Sequence, residues 1–410
     1  MADLEARGLL QDSTDREQLR ARLADGPITL YYGCDPTDDS LQMGNLIGLL
    51  VLRRFADAGH RPIALAGGAT GMIGDPGGKS EERNLLDADS LATNLAGIKR
   101  QIARIVGEDV PLVDNGTWTN ELPLLAFLRD VGKHVTVNHM VAKESVKTRM
   151  ASEHGISYTE FSYMLLQAND YHWLHVNEGC DLQIGGSDQW GNIVLGVDLI
   201  RRRTGDHVHA FSWPLLLRAD GQKFGKSAGG ETLWLDPART SPYELFQYWM
   251  RVPDADVRRF LLQLTLLSVE EANAVADAHD QAPERREGQR RLARENVTIV
   301  HGAAAAAAAE GASALLFGGD PYQAGPDALA LLAAEVPTVV GDPVGRLLVD
   351  LLAESGTVKS KSEARRLGSV AVNGASRPVE DPVVADDLLH DRWVVLRKGK
   401  SSYVLLDREK

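Results

Sequence analysis

Apolar and polar positions fall in blocks along the first half of the chain. Ile28 to Cys34 is a β-branched and aromatic run closed by a polar break, the pattern of a buried strand. Asp35 to Ser40, rich in Asp, Pro and Thr, reads as a turn. A helix is predicted from about Leu41 to Ala58, ended by Gly59 and the His60-Arg61-Pro62 turn. A second strand, Pro62 to Ala66, runs into the loop Gly67 to Lys79. Strand, helix and strand follow one another within about forty residues, which predicts a βαβ unit of a parallel sheet. The alternation returns as a short strand over Asp181 to Ile184, a helix over Gln189 to Arg202 and a strand over His209 to Leu217. From about Ser241 to Leu316 helical periodicity dominates, punctuated near Pro253 and Pro283. The alanines Ala303 to Ala309 read there as a strong helix former facing a small-residue contact. Phe317 to Asp342, rich in Gly, Pro and Asp, reads as a connector, and about Val344 to Lys410 as a small terminal segment.

Length agrees with this partition. At 410 residues the chain is too long for one ordinary core, so two or three domains are expected. The net charge of −13 argues against a generic nucleic-acid coat, which needs clustered cations. That charge is unevenly spread. Gly345 to Lys410 holds 12 Lys and Arg against 10 Asp and Glu, a surplus of two, so −15 lies in the rest. Positive potential is thus concentrated in the tail. Cys34 and Cys180, the two cysteines, form no C-x-x-C pair, so neither a disulfide framework nor a cysteine zinc site is expected. The first residues lack a signal-peptide pattern, and runs such as Leu46 to Leu52 fall far short of a membrane span. A reduced, cytoplasmic setting is expected, where Asn115-Gly116-Thr117 and Asn296-Val297-Thr298 match the glycosylation pattern by chance.

Five constellations carry candidate chemistry. Tyr31-Tyr32-Gly33-Cys34-Asp35-Pro36-Thr37, then Ser40 to Leu46, puts polar groups at a strand end and on the next helix start, the crevice where open α/β sheets bind ligands. Free N–H groups there attract phosphate. Gln42 and Asn45, three apart, share a face, and Gly44 lets a flat ligand reach the backbone. The Gly67 to Ser80 loop ends like a P-loop, but Ile73 stands where the motif requires glycine, so that reading fails. Lys79 and Arg83 could still serve a phosphate. Tyr163, Gln167 and Asp170 place a phenol, an amide and a carboxylate on one helix face, an arrangement also common on solvated faces. Gln183 to Asn192 forms another strand-to-helix turn. Arg218 to Ser227 sets Lys223 and Lys226 around Gly225; two ammonium groups can neutralise a leaving pyrophosphate, although an isolated pair is more often plain surface.

Together these fragments resemble the bacterial tyrosyl-tRNA synthetases, from about Leu23 to about Arg397. The first constellation resembles their class I "HIGH" motif and Lys223-Phe224-Gly225-Lys226-Ser227 their "KMSKS" motif. Gly67 to Pro76, Thr159 to Gln167 and Leu182 to Asn192 are also similar. The resemblance implies a Rossmann-like α/β catalytic domain with a parallel sheet over 1–228. An all-α anticodon-binding domain over 229–318, a connector over 319–343 and a small α+β RNA-binding domain of ribosomal-protein type over 344–410 would follow. It implies that tyrosine and ATP, carried with Mg²⁺, give tyrosyl-adenylate, and that the tyrosyl group passes to tRNA(Tyr). No tightly bound cofactor and no dedicated protein metal site are expected.

Roles follow by matched motif. Tyr31 and Asp170 would bind the substrate phenol, and Tyr163, Gln167 and Asp75 its α-ammonium, with Gln189 nearby. Gly33, Asp35, Thr37, Gln42, Gly44 and Asn45 would line the ATP site, with Gly186 and Asp188 near the ribose. Lys79, Arg83, Lys223, Lys226 and Ser227 would close on the phosphates. Lys359, Lys361, Arg365 and Arg366, before the hairpin signal Val370 to Gly374, would bind RNA. Phe127 to His134 resembles the interface segment of the family's homodimers. One departure is clear: Gln42 stands where the family usually has histidine, and an amide cannot become cationic. Three readings stand beside the active ligase. One is a specialised paralogue, inhibitor-resistant or serving another pathway. Another is a catalytically weak RNA-binding protein, against which Tyr31, Asp170, Lys223 and Lys226 speak together. The last is a small nucleotidyltransferase, which would have no use for the tail.

Overall fold

The computed structural model describes residues 1–75, 88–152, 155–219, 224–226, 229–399 and 401–409. Its contacts group the chain into two units, one of residues 1–240 and 252–292, the other of 241–251 and 293–410.

The first unit is built on five parallel strands: β1 (Thr29–Cys34), β2 (Arg61–Ala66), β3 (Leu112–Asp114), β4 (Cys180–Gly186) and β5 (His209–Trp213). Their order is β3-β2-β1-β4-β5. Strand succession therefore reverses between β1 and β4, and the carboxyl ends of these two open the crevice where a doubly wound sheet binds ligands. β5 stops at Trp213 rather than Leu217, because Pro214 supplies no N–H for the ladder. The predicted helix after β1 also starts late. Gln42 and Met43 pair with the 233–235 segment, where Met43 N–H donates to Leu233 O at 3.0 Å. A short 3₁₀ turn, Met43–Asn45, intervenes, and the helix proper, α1, spans Leu46–Asp57. A buried arginine and a half-buried one fasten the Asp254–Leu264 helix and the turn after it within this unit. Arg7 donates to Leu262 O at 2.9 Å and Leu267 O at 2.8 Å, and Arg54, from α1, donates to Thr265 O.

Two further helices carry site residues. α2 (Tyr158–Glu178) opens on a capping box between Ser157 and Glu160 and closes on Gly179 in the left-handed region at φ 62°. α3 (Trp190–Thr204) follows β4 and ends at Gly205, also left-handed.

In the second unit, helix Ala303–Leu316 contains the alanine run, with Ala306 and Ala309 buried as the small-residue reading expects. The stretch read as a connector is not bare: it forms a helix, Pro326–Glu335, and a strand, β6 (Thr338–Val340). Its glycines and prolines mark helix ends, with Pro326 at the first helical position. β6 pairs in parallel with β10 (Ser402–Asp407), while β7 (Ser369–Val372), β8 (Ala375–Pro378) and β9 (Trp393–Lys398) complete an antiparallel sheet. The helix Lys361–Arg366 precedes the β7–β8 hairpin in the predicted order.

Candidate active site

A cavity of about 630 Å³ opens at the carboxyl ends of β1 and β4. Tyr31, Asp35, Gln42, Asn45, Tyr163, Gln167, Asp170, Asp188 and Gln189 all line it, together with Gly33, Thr37, Gly44, Asp75 and Gly186. Residues separated by more than 150 positions thus meet at the reversal of strand order. An added Cβ at Gly44 would meet nothing within 4 Å, so the ligand has open access to that backbone.

Asp170, on α2, is almost fully buried. Trp118 Nε1–H donates to its Oδ1 at 2.8 Å and Asn115 Nδ2–H to its Oδ2 at 2.9 Å. Burial is the dominant influence and raises its pKa from 3.8 to about 7; the two donors oppose the rise. Asn115 is fully buried, also donating to Thr70 Oγ1 at 3.0 Å and accepting from Ala69 N–H at 2.8 Å. Trp118 stacks on Trp173, centroids 4.1 Å apart. Beside this carboxyl, the buried Tyr31 hydroxyl has no hydrogen-bond partner among the described residues. An orphaned phenol and a buried carboxyl facing one cavity await a ligand hydroxyl.

A second polar cluster joins the first through Thr70, which accepts from Asn115 and donates to Asp35. Tyr163 donates to Asp35 Oδ2 at 2.9 Å and Thr70 to Asp35 Oδ1 at 2.8 Å. Gln189 Nε2 donates to Asp75 Oδ2, and Asn192 Nδ2 donates to Gln167 Oε1 at 3.1 Å. Burial raises the pKa of Asp188. Among the described residues the lining carries four aspartates and no Lys, Arg or His. Such a field favours a cationic group.

Lys226 is not part of this lining. Its ammonium donates to the Thr232 hydroxyl, and the two residues form an antiparallel bridge. Lys79, Arg83, Lys223 and Ser227 lie outside the described residues. In the tail, Lys361 pairs with Asp350 at 2.8 Å and Arg365 with Glu380 at 2.8 Å. The side-chain cations of Lys359 and Arg366 have no carboxylate partner among the described residues, although the Lys359 backbone N–H donates to Glu363 Oε2 at 2.8 Å.

Comparison with known proteins fits this geometry. Residues 23–318 match the family model "tRNA synthetases class I (W and Y)", and residues 329–406 match the "Tyrosine--tRNA ligase SYY-like C-terminal domain". The chain is 49% identical to the tyrosine–tRNA ligase of Mycobacterium tuberculosis, covering 99% of this chain and 98% of that protein. It is 49% identical to the ligase of Corynebacterium glutamicum, covering 98% and 97%. The chain belongs to the tyrosyl-tRNA synthetase family. Among solved structures, it matches a C-terminally truncated Aspergillus nidulans mitochondrial tyrosyl-tRNA synthetase at a TM-score of 0.69 and 31% identity. That match covers 77% of this chain and 93% of the other.

For a tyrosyl-tRNA synthetase family member, motif reading still overlooked functional neighbours. Asn115 reads in sequence as a chance glycosylation match, yet its amide holds Asp170. Trp118, three residues on, carries no motif at all. A polar residue directly after a short strand was the available signal for Asn115, since β3 ends at Asp114. Tyr32 also lines the cavity.

Proposed function

We propose that the protein is an active tyrosine–tRNA ligase. The observation that carries this reading is the Tyr31 hydroxyl, unpartnered among the described residues, beside the buried, doubly anchored Asp170. A phenol completes that pair, and a phenyl ring leaves it unpaired at a cost. The four-aspartate lining suits an α-ammonium, with Tyr163, Gln167, Asp75 and Gln189 as its binding groups. ATP enters as its magnesium complex, a substrate, against Gly33, Thr37, Gln42, Gly44, Asn45, Gly186 and Asp188.

The carboxylate of tyrosine attacks the α-phosphorus of ATP; the bond to the bridging oxygen breaks, and pyrophosphate leaves. A terminal ribose hydroxyl of tRNA(Tyr) then attacks the acyl carbon and releases AMP. The carboxylate is already a nucleophile at neutral pH, so activation needs no general base. Catalysis rests on positioning and on charge stabilisation, with Lys79, Arg83, Lys223 and Lys226 as the cations for the phosphates. Tyrosine-dependent ATP–pyrophosphate exchange across an amino-acid panel, followed by tRNA charging, tests the reading. Absence of exchange with tyrosine overturns it.

Gln42 favours a second reading, a specialised paralogue with a slower activation step. A neutral amide stabilises a phosphate less than an imidazolium by about 1 kcal/mol. Gln42→His is expected to speed single-turnover adenylate formation by roughly fivefold to tenfold. An unchanged rate refutes the assigned role of Gln42. Exchange without charging favours the paralogue.

The tail is the proposed RNA-binding module and the helical segment the anticodon-binding one. Exposed ion pairs such as Lys361–Asp350 contribute little and can open. Affinity for tRNA is expected to fall at least about tenfold between roughly 50 and 200 mM salt. Lys359→Ala and Arg366→Ala should each flatten that slope; an affinity indifferent to salt contradicts the proposal. Phe127 to His134 is the proposed homodimer interface segment, and Leu124, Leu125 and Leu128, exposed on the overlapping helix Leu124–Asp130, support it. No helix among the described residues is long and apolar enough to cross a membrane, and the protein is proposed to act in the cytoplasm.

A further inference from the structure

One face of the helix Asp254–Leu264 grips the chain on either side of residues 220–223. Asp256, Arg259 and Phe260 are three and four positions apart, so they share that face. Asp256 lies in the first helical turn, where a carboxylate is favoured, and is 2% exposed. Its Oδ2 accepts the Ala219 N–H at 2.7 Å, and its Oδ1 accepts from Arg259 Nη2. The same nitrogen donates to the Leu217 carbonyl, so one ion pair holds two backbone groups two residues apart. The guanidinium also lies 4.8 Å from the centre of the Phe260 ring. Phe260 is wholly buried and meets Phe224 edge to face, with centroids 5.5 Å apart at 64°.

These contacts reach the cavity. Leu217 and Phe224 both line it, whereas neither Asp256 nor Arg259 does. Beyond Phe224, Gly225 is left-handed at φ 75°, and its carbonyl accepts the Leu233 N–H at 3.0 Å. The backbone of Lys226 therefore starts two residues from a ring seated on the helix. A buried carboxylate is costly unless it is fully paired, and here the pairing is spent on the segment that leads to Lys226.

We propose that Asp256 and Arg259 are positioning residues for the activation step. By holding Leu217 and Ala219 directly, and Phe224 through Phe260, they fix the point from which Lys226 reaches the leaving pyrophosphate. They touch neither substrate. The role given to Lys226 rests on the ligase reading; the grip of the helix on this segment does not.

The test compares the full-length parent with its variants. Asp256→Asn keeps the size and an acceptor but loses the charged pair. Arg259→Gln changes a side chain that is 38% exposed, so it should melt within a few degrees of the parent. Each is expected to slow single-turnover adenylate formation about tenfold to a hundredfold, the effect of a misplacement of about 1 Å. The calorimetric Kd for tyrosine should stay within about twofold of the parent, because that site is built from other residues. Arg259→Lys keeps a cation beside Asp256 and should recover most of the rate. In the Lys226→Ala background, Arg259→Gln should cost less than about twofold more, since its effect passes through Lys226. Without nucleotide, backbone hydrogen exchange in a peptide spanning 217–226 should quicken at least about fivefold in both variants, while peptides from β1 and β4 keep the parent's rates. A parental rate of adenylate formation, a fully multiplicative loss with Lys226→Ala, or a tyrosine affinity that falls as far as the rate overturns the proposal. A parent that shows no pyrophosphate exchange with tyrosine sinks the ligase reading instead. The hydrogen-exchange arm still decides in that case: unchanged uptake over 217–226 refutes the grip of the helix.

Discussion

Asp170→Asn is expected to lower kcat/KM for tyrosine by about a hundredfold or more and to erase most of the preference over phenylalanine. Both carboxylate oxygens already accept a donor, from Trp118 and from Asn115. Either rotamer of an asparagine therefore turns its NH₂ toward one of those N–H groups, and the buried clash adds to the lost acceptor. Together these cost about 3 kcal/mol or more. Steady-state exchange kinetics with both amino acids measure the effect, and a loss under tenfold contradicts the assignment. The parent enzyme should show a matching pH dependence. With a pKa of about 7, Asp170 is mostly neutral at pH 6 and mostly anionic at pH 8. The tyrosine KM should fall over that interval and level off above it. Stability runs the opposite way in the empty site. A carboxyl raised from 3.8 to about 7 binds more proton folded than unfolded, so this group destabilises the fold as pH rises through that window. Tyrosine should therefore raise the melting temperature more at pH 8 than at pH 6.

Arg149→Met is expected to lower the free energy of unfolding by about 3–5 kcal/mol. Arg149 Nη2 and Glu160 Oε2 lie 2.6 Å apart, and both side chains are about 5% exposed or less. Removing the arginine strands a buried carboxylate. Glu160 also belongs to the capping box of α2, the helix that presents Tyr163, Gln167 and Asp170. The tyrosine KM should consequently rise along with the loss of stability. Urea unfolding reads the stability directly, and a change below about 1 kcal/mol shows that the pair is not energetically coupled to the fold.

The βαβ order of the first unit was legible because each element is short, locally patterned and bounded by Gly, Pro or Asp. The side chains of Tyr31, Asp35, Gln42, Tyr163, Gln167 and Asp188 share one cavity, as their motifs suggest. What escaped were the supports. Asn115 and Trp118 act through a contact with Asp170, more than fifty positions away, and contact order leaves no local periodicity. The helix start at Leu46 was misplaced because Gln42 and Met43 are claimed by residues near 234, a long-range pairing that overrides local helix propensity. The stretch 317–342 was misread because Gly and Pro mark boundaries of elements as readily as their absence. Lys226 has a nearer partner in Thr232, which no spacing rule anticipates.

Asn115 has a practical consequence for making this protein. Asn115-Gly116-Thr117 is an acceptor for N-linked glycan if the chain is threaded through a secretory pathway while still unfolded. In the folded state the Asn115 side chain is wholly enclosed, and its amide nitrogen donates to both Thr70 and Asp170. A glycan on that nitrogen would leave no room for the fold and no donor for the carboxyl. Secretion from a eukaryotic host should therefore yield misfolded, glycosylated material unless two threonines are changed to alanine: Thr117, whose exposed hydroxyl reaches back to the Asp114 carbonyl, and Thr298, which completes the same pattern at the equally buried Asn296.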